Sequence, residues 1–369
     1  MSPDKPKQKI RILGDGCAAL SLAARADELV AHDIHLVRPE GAPVETDHIW
    51  GFWDAPGLAA ASRMARAKWH SWSIVTEGGE TVMRSASRPY AALHRLDWTR
   101  HCRNAAARAG VEIGTVDAET GKPDQVFDSR PPPVPDGIML QHFLGLEVRS
   151  RHAVFDPDTA ILMDFRVDQS RGMHFIYLLP FSPTEALVES TLFTPSVCPE
   201  DFYRGAITGY LDKQFGVSDF ETLRTERGVI PLGALERRDP TLSGIGGNGG
   251  AIRPSSGYAF PFIQKQIDKA IEGERTGGTL RFEVPHRKID LWMDAVLLTV
   301  LRHWPERAPD LFLRMGRALD GDEFARFLSG EADWPLRLKV IMAMPKWPFL
   351  RGLAWMLAGT FRQPVARAA

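Results

Sequence analysis

The stretch Ile12-Leu13-Gly14-Asp15-Gly16-Cys17-Ala18-Ala19-Leu20, "ILGDGCAAL", decides the fold. It joins a short apolar run, Ile10 to Leu13, to an Ala/Leu-rich segment, Ala18 to Ala26, and "DIHLV" (Asp33 to Val37) follows as a second apolar run. Strand, tight turn, helix, strand is the order in which a G-x-G-x-x-G/A spacing acquires physical meaning. Gly14 permits the turn, and Gly16 lets backbone N–H groups approach a pyrophosphate. Ala19 stands where a third glycine is usual and is small enough for a helix to pack closely on a strand. The spacing alone does not establish a ligand, because glycine turns also precede Ala-rich helices without one; its place in a βαβ order supports one. The acid expected at the end of the second strand is replaced by Arg38, with Glu40 two residues on. Either Glu40 reaches an adenosine ribose from the loop, or Arg38 stacks on adenine or pairs with phosphate, or Arg38 is a solvated loop residue.

Outward from this unit, "HIWGFW" (His48 to Trp53) and "AKWHSWSI" are rich in tryptophan and predict a β-rich, aromatic-packed excursion near 45–90. "RLDWTRHCRNAAARAGVEI" reads as an amphipathic helix ending at Gly110 and a following strand. The Pro-rich "SRPPPVPDG" (Ser129 to Gly137) breaks regular structure and marks a crossing between lobes. The segment from Ala160 to Pro195, punctuated at Ser170-Arg171-Gly172 and at Pro180 to Pro183, reads as antiparallel strands joined by turns. "GGNGGAIRPSSGYAFPF" is a second glycine-rich loop leading into a helix. There Pro254 presets a turn, Gly257 tolerates close approach, and Ser255 and Ser256 are placed to cap the helix. From Asp290 onward the pattern is helical, interrupted by prolines.

Composition bounds the function. With 369 residues, 44% of them hydrophobic, the chain can bury a large core. Lys plus Arg (45) balances Asp plus Glu (46), so no global field draws it to nucleic acid. Cys17, Cys102 and Cys198 lie far apart without metal-ligand spacing, which fits a reducing cytoplasm and no metal site. The polar, Lys-rich N-terminus does not read as a signal sequence, and no uncharged apolar stretch is long enough to suggest a membrane span.

Glu189, in "ALVESTLF", is the sharpest candidate for catalysis. A carboxyl amid strand-forming apolar residues is costly to bury ionised, and its pKa rises toward the range of a general acid. Alternation along a strand equally allows it to face water. Asp164 and Asp168, in "MDFRVDQ", read as edge-strand or turn carboxylates, and His48 reads as structural.

Several of these segments together resemble the bacterial lycopene cyclase family of flavoproteins: "HIWGFW", "QHFLGLEVRS" with "ILMDFRVDQ", "FIYLLPFSPTEALVEST", and "ERGVIPLG" leading to "IRPSSGYAFP". The resemblance implies an α/β fold similar to FAD-dependent hydroxylases, a discontinuous Rossmann-like FAD/NAD(P)-binding domain with an inserted antiparallel-sheet substrate domain and a C-terminal helical region. The expected boundaries are 1–130 and 227–285 for the two parts of the FAD-binding domain, 131–226 for the substrate domain and 286–369 for the helical region. Gly14, Gly16, Ala19, Arg38 and Glu40, with Arg253, Pro254, Ser255, Ser256, Gly257 and Tyr258, are then the cofactor-binding residues.

The resemblance also implies an activity. The family's essential acidic motif, E-D-T or E-E-T, corresponds to Glu189-Ser190-Thr191, with Ser190 in place of the second acid, and Asp164 and Asp168 fit the family pattern in position, with a minor role in holding loops or relaying protons; Asp164 is the one placed with Glu189 in the catalytic set. The implied reaction is ring closure at the linear ends of lycopene, an isomerisation without net redox change that uses reduced FAD, with NAD(P)H as reductant. Trp50, Trp53 and Tyr258 are candidates to shelter a cation through their π-faces. A carotenoid substrate implies a membrane surface as partner. The acid-free, Trp-rich segment after Asp333 is either an interfacial amphipathic element or a helix packed on the protein, so the expected location is cytoplasmic, peripheral to the inner face of the cytoplasmic membrane. Two rival readings keep the fold but change the function: an FAD-dependent monooxygenase or dehydrogenase on another apolar substrate, and a non-catalytic carotenoid-binding relative.

Overall fold

The computed structural model describes residues 6–42, 44–115 and 122–357. In chain order the strands are β1 (Gln8–Leu13), β2 (His32–Arg38), β3 (Ile49–Trp53), β4 (Ala67–Trp69), β5 (Ser71–Thr76), β6 (Gly79–Arg84), β7 (Tyr90–His94) and β8 (Glu112–Thr115). They continue as β9 (Gln125–Asp128), β10 (Met139–Ser150), β11 (Thr159–Asp164), β12 (Met173–Pro180), β13 (Glu185–Thr194), β14 (Phe220–Leu232) and β15 (Ser243–Gly244). The helices are α1 (Cys17–Ala23), α2 (Ala59–Arg63), α3 (Arg95–Arg108), α4 (Glu200–Phe215), α5 (Phe260–Arg275), α6 (Lys288–His303), α7 (Ala308–Ala318), α8 (Gly321–Leu328), α9 (Trp334–Ala343) and α10 (Lys346–Leu357).

The opening βαβ unit forms where the glycine spacing predicts it. Five strands make a parallel sheet in the order β15-β9-β1-β2-β8, as crossover connections through α1 and α3 require. Its core joins Ile10, Ile12, Leu20, Leu22, Ile34 and Leu36 to Ile263 and Ile267 of α5, so the second glycine-rich segment returns to the first sheet from a distance of more than 200 residues. Ala19 is fully buried, consistent with its role as the small residue of the spacing.

A seven-stranded sheet, β14-β10-β13-β12-β11-β5-β6, forms the second layer, and β3-β7-β4 make a small third sheet. Its neighbours are antiparallel except β11 and β5, which pair in parallel. This corrects the expected boundaries in two places. Residues 71–84, expected within 1–130 as part of the β-rich excursion near 45–90, contribute β5 and β6 to the seven-stranded sheet, because hydrogen bonds to β11 satisfy an edge that would otherwise stay open. The boundary expected after residue 226 falls inside β14, whose pairing with β10 runs from Phe220 to Leu232.

The two faces of this sheet have separate cores. One face carries Leu144, Leu146, Ile176, Val188 and Leu192 against Tyr203, Ile207 and Tyr210 of α4. The other carries Trp72, Ile74, Phe175, Leu187 and Phe193 against the C-terminal helices, through residues such as Val300, Leu311, Phe312, Phe324 and Leu336. Burying each such large apolar side chain contributes about 1.5–3 kcal/mol. Two ion pairs fasten the helices, Arg337 with Asp290 and Arg253 with Asp294, both bidentate and almost wholly buried.

Candidate active site

The site begins with alternation along β13. Leu187, Glu189, Thr191 and Phe193 point to the face that carries the C-terminal helices, while Val188, Ser190 and Leu192 point toward α4. Glu189 therefore projects from the sheet into a cavity of about 840 Å³. Its surroundings are apolar and aromatic: Trp53, Phe143, Phe175, Tyr177 and Phe193 line the same cavity. Thr191 donates a 2.7 Å hydrogen bond to Glu189 Oε1. Burial, reinforced by the nearby Glu226 carboxyl and opposed by Thr191, pushes the Glu189 pKa up to about 8.

Tyr90, Tyr177 and Tyr258 form a phenol cluster beside it, with O···O distances of 2.9 Å (Tyr90 to Tyr177) and 3.4 Å (Tyr90 to Tyr258). Burial raises all three phenols well above their usual range, so they remain neutral. Trp53 packs edge-on against Tyr258 and tilted against Tyr90. Of the tryptophans named from the sequence, Trp50 and Trp53 both line the cavity, and so does His48, whose pKa is lowered, chiefly by burial.

The same cavity reaches both glycine-rich segments. Cys17 at the start of α1 and the run Arg253, Ser255, Ser256, Gly257, Tyr258 line it together. Gly14 has φ +108°, and a Cβ there would sit 2.5 Å from Ser129 Oγ, so the turn requires glycine. A Cβ on Gly16 would meet nothing within 4 Å, which leaves its backbone open to an approaching group. Among the described residues, four buried polar atoms of cavity-lining residues lack hydrogen-bond partners: Trp53 Nε1, Gln141 Oε1, Arg253 Nη1 and Ser256 Oγ. Buried polar atoms are rarely left unpaired, and a polar ligand would satisfy them.

Several expectations need correction. Asp164 faces away from the cavity, pinned on the α4 side by Arg166 (2.6 Å at Nη2) and by the Tyr210 hydroxyl (2.8 Å). An irregularity between Ile161 and Met163 sets this orientation, and a carboxylate so held is a structural anchor. Asp168, by contrast, is the turn carboxylate its sequence suggests, accepting from Ser170 on its own loop. The serines do not cap α5: Ala259 is its N-cap, Ser255 donates to Asp294 instead, and Ser256 Oγ is free of bonds. Arg38 is bound to Asp15 of the first glycine turn at 2.9 Å, while Glu40 is exposed. Ser190 accepts or donates at 2.8 Å to His174 Nε2 on the α4 side, so the position of the missing second acid does not face the cavity at all.

Residues that sequence reasoning missed include Tyr90, Tyr177, Gln141 and Glu226. Glu226 lies in "LRTERGVIPL", which reads as a solvated, charge-rich strand; its usable signal was alternation, since Arg224, Glu226, Gly228 and Ile230 share the inward face of β14.

The class follows from this geometry: a Rossmann-like parallel sheet with two glycine-rich turns, roofed by a large, mostly antiparallel sheet, with an apolar cavity between. The same architecture occurs in a Thermoplasma acidophilum protein described as geranylgeranyl bacteriochlorophyll reductase-like (TM-score 0.59, 13% identity, 95% of this chain and 99% of that one). It also occurs in a flavin-dependent brominase variant (TM-score 0.53, 12% identity, 95% and 99%). The family model described as "Lycopene cyclase protein" matches residues 9–354, and the chain belongs to that family. It is similar to the lycopene beta-cyclase of Paracoccus sp. (27% identical, covering 91% of this chain and 92% of the relative). It is also similar to that of Pantoea ananas (26% identical, covering 58% and 59%).

Proposed function

We propose that this protein is a lycopene cyclase that closes linear carotenoid ends by proton-initiated addition, with FAD in reduced form as its cofactor. The observation that carries the reading is Glu189, a buried carboxyl with no cation beside it, on the wall of an apolar, aromatic cavity that also meets both glycine-rich turns. A carboxyl that keeps its proton near neutrality can deliver it to an alkene. Breaking the Glu189 O–H bond and forming a C–H bond at the terminal double bond leaves a tertiary cation; an internal alkene attacks it, and loss of a ring proton returns the acid. No electrons are gained or lost. Trp53, Phe175, Tyr177 and Phe193 would line the path of that cation with π-faces and exclude water from it.

The cofactor suits the residues present. The open backbone at Gly16, the Arg253 to Tyr258 loop and the unpartnered atoms of Gln141, Arg253 and Ser256 would hold such a dinucleotide. When bound in reduced form, FAD supplies an electron-rich neighbour to the developing cation, and NAD(P)H is the proposed source of its electrons. Arg38 would meet the adenosine side only after releasing, or in company with, Asp15.

Substrate delivery fits the C-terminal helices. Ile341, Met344, Leu350 and Leu353 line the cavity, and Trp334, Leu338, Met342 and Trp347 beside them in sequence are exposed. Such a patch favours docking on a membrane surface, and no helix among the described residues is long and apolar enough to cross one. The cations of this segment are largely engaged within the protein: Arg337 with Asp290, Lys339 with Glu323, and Arg351 over Trp304, Trp347 and Trp355. Docking would thus rest on apolar contact more than on charge. Residues 358–369, which were included in the expected interfacial segment, lie outside the described residues.

Expression in a lycopene-accumulating bacterium with pigment analysis tests the proposal. β-Carotene or a singly cyclised product is expected from the wild-type chain and none from Glu189→Gln. Unchanged lycopene with the wild-type chain, or turnover of NAD(P)H or oxygen matched to an oxidised product, would reject it.

A further inference from the structure

Three strands set a second acid in line with the first. Gly145 of β10 is paired across the sheet with Glu189 of β13 on one side and with Glu226 of β14 on the other. Residues in register point to the same face, so both carboxyl side chains rise from the sheet with only Gly145 between them. A Cβ placed on Gly145 would meet Glu226 Cγ at 3.0 Å, Leu187 Cδ1 at 3.1 Å and Glu189 Cβ at 3.6 Å, so the Glu226 stem and Leu187 fill the space left by the missing side chain and Glu189 borders it. A glycine inside a 12-residue strand marks such close approach.

The charges around the pair are arranged unequally. Arg66 contacts Glu147 at 2.5 Å, Glu147 contacts Arg224 at 3.2 Å, and Arg224 Nη2 lies 2.8 Å from Glu226 Oε2, a distance of ion pairing without hydrogen-bond alignment. The Ile49 N–H also donates to Glu226, at 3.1 Å. Asp47 and His48, on the loop before β3, face this end, and Asp47 is held by His94. Positive and negative groups thus alternate from Arg66 to Glu226 and stop there. Beyond Glu226 stands Glu189, whose remaining neighbours are the Thr191 hydroxyl and the phenols of Tyr90, Tyr177 and Tyr258, none of them a cation.

We infer that Glu226 is the second carboxyl of the site, a positioning residue that, as the anchored anion across Gly145, keeps the proton on Glu189. It is set back from the cavity lining and acts on the reaction through Glu189. Two carboxyls buried on one face, on the strands either side of β10, oppose each other's ionisation, and the one with the cation and the backbone donor takes the charge. Burial raises Glu226 as well, to about 7 against the pull of Arg224, so the pair loses its two protons as a coupled unit, in order. The use made of the proton rests on the cyclase reading; the pairing of the acids does not.

The test is infrared titration of the protonated carboxyl stretch in the purified protein, with the Glu189 band identified by its loss in Glu189→Gln. In the wild type this band should persist through neutral pH and fade above it. In Glu226→Gln its midpoint should fall by about one pH unit, and Glu226→Asp, which keeps the charge but withdraws it, should fall between the two. A midpoint that stays at the wild-type value in both variants overturns the inference. The alkaline limit of ring closure should move in the same direction as the band. A displaced band in a protein that forms no rings from lycopene would count against the cyclase reading and uphold the pair.

Discussion

Asp164 and Glu189 are both buried carboxyl groups of the same sheet, and they differ in which face they leave from. Asp164 turns toward α4 and finds a bidentate guanidinium and a phenol; the bonds to it raise Arg166 further above its ordinary range. Glu189 turns toward the cavity and finds one hydroxyl and another acid. Burial is common to both, so burial does not make a group reactive. What separates an anchor from a proton donor is whether the surroundings compensate the charge.

The strongest way to break this contrast is Glu189→Gln. It should lower ring closure by about 10²- to 10⁴-fold while leaving flavin absorbance on the purified protein unchanged; a rate within threefold of wild type would end the assignment. The contrast also has a signature in stability. Because the folded pKa of Glu189 is raised to about 8, its contribution is fully present below its unfolded value near 4.5 and is lost as pH rises through about 8. Urea unfolding of the wild type should therefore weaken between pH 5 and 8 by roughly 3–5 kcal/mol from this group, and Glu189→Gln should flatten that slope. A slope equal in both proteins would contradict an uncompensated acid.

Asp164→Asn should do the reverse. Removing the buried half of the Arg166 pair is expected to cost about 2–4 kcal/mol of stability, read by thermal unfolding, with cyclisation per folded molecule unchanged. A selective loss of rate would restore Asp164 to the chemistry. The smallest effect on activity is expected from Ser190→Asp, which restores the acid of the family motif. Since Ser190 faces His174 and not the cavity, cyclisation should rise by less than about twofold, and the buried new carboxylate should cost about 1–3 kcal/mol. A large gain in rate would show that the two faces communicate.

Much of this was legible before any coordinates. The βαβ unit, the antiparallel strands from Ala160 to Pro195 and the second glycine-rich loop follow from local periodicity and turn chemistry, and all three stand where they were expected. Glu189 stands out in the sequence because a lone acid inside an apolar strand is a local anomaly and because it falls on the acidic motif of the family resemblance; its place on the cavity wall needed the fold. The orientation of Asp164 was not legible because an irregularity in β11 turns it to the α4 face, where Arg166, two residues on, and Tyr210, 46 residues away, hold it. Glu226 was missed for the opposite reason. Its immediate neighbours, Arg224 and Arg227, make it look solvated, and only the register with Gly145 reveals what it faces.

The parallel pairing of β5 with β11 has a consequence for biogenesis. Residues 71–76 leave the ribosome well before residues 159–164, and the hairpin they begin with β6 must wait with an unpaired edge until about 80 further residues have been made. Synthesis at about 5–20 residues per second leaves that edge exposed for several seconds. The seven-stranded sheet is complete only when segments separated by more than 50 residues of chain, 71–84 and 139–232, have met.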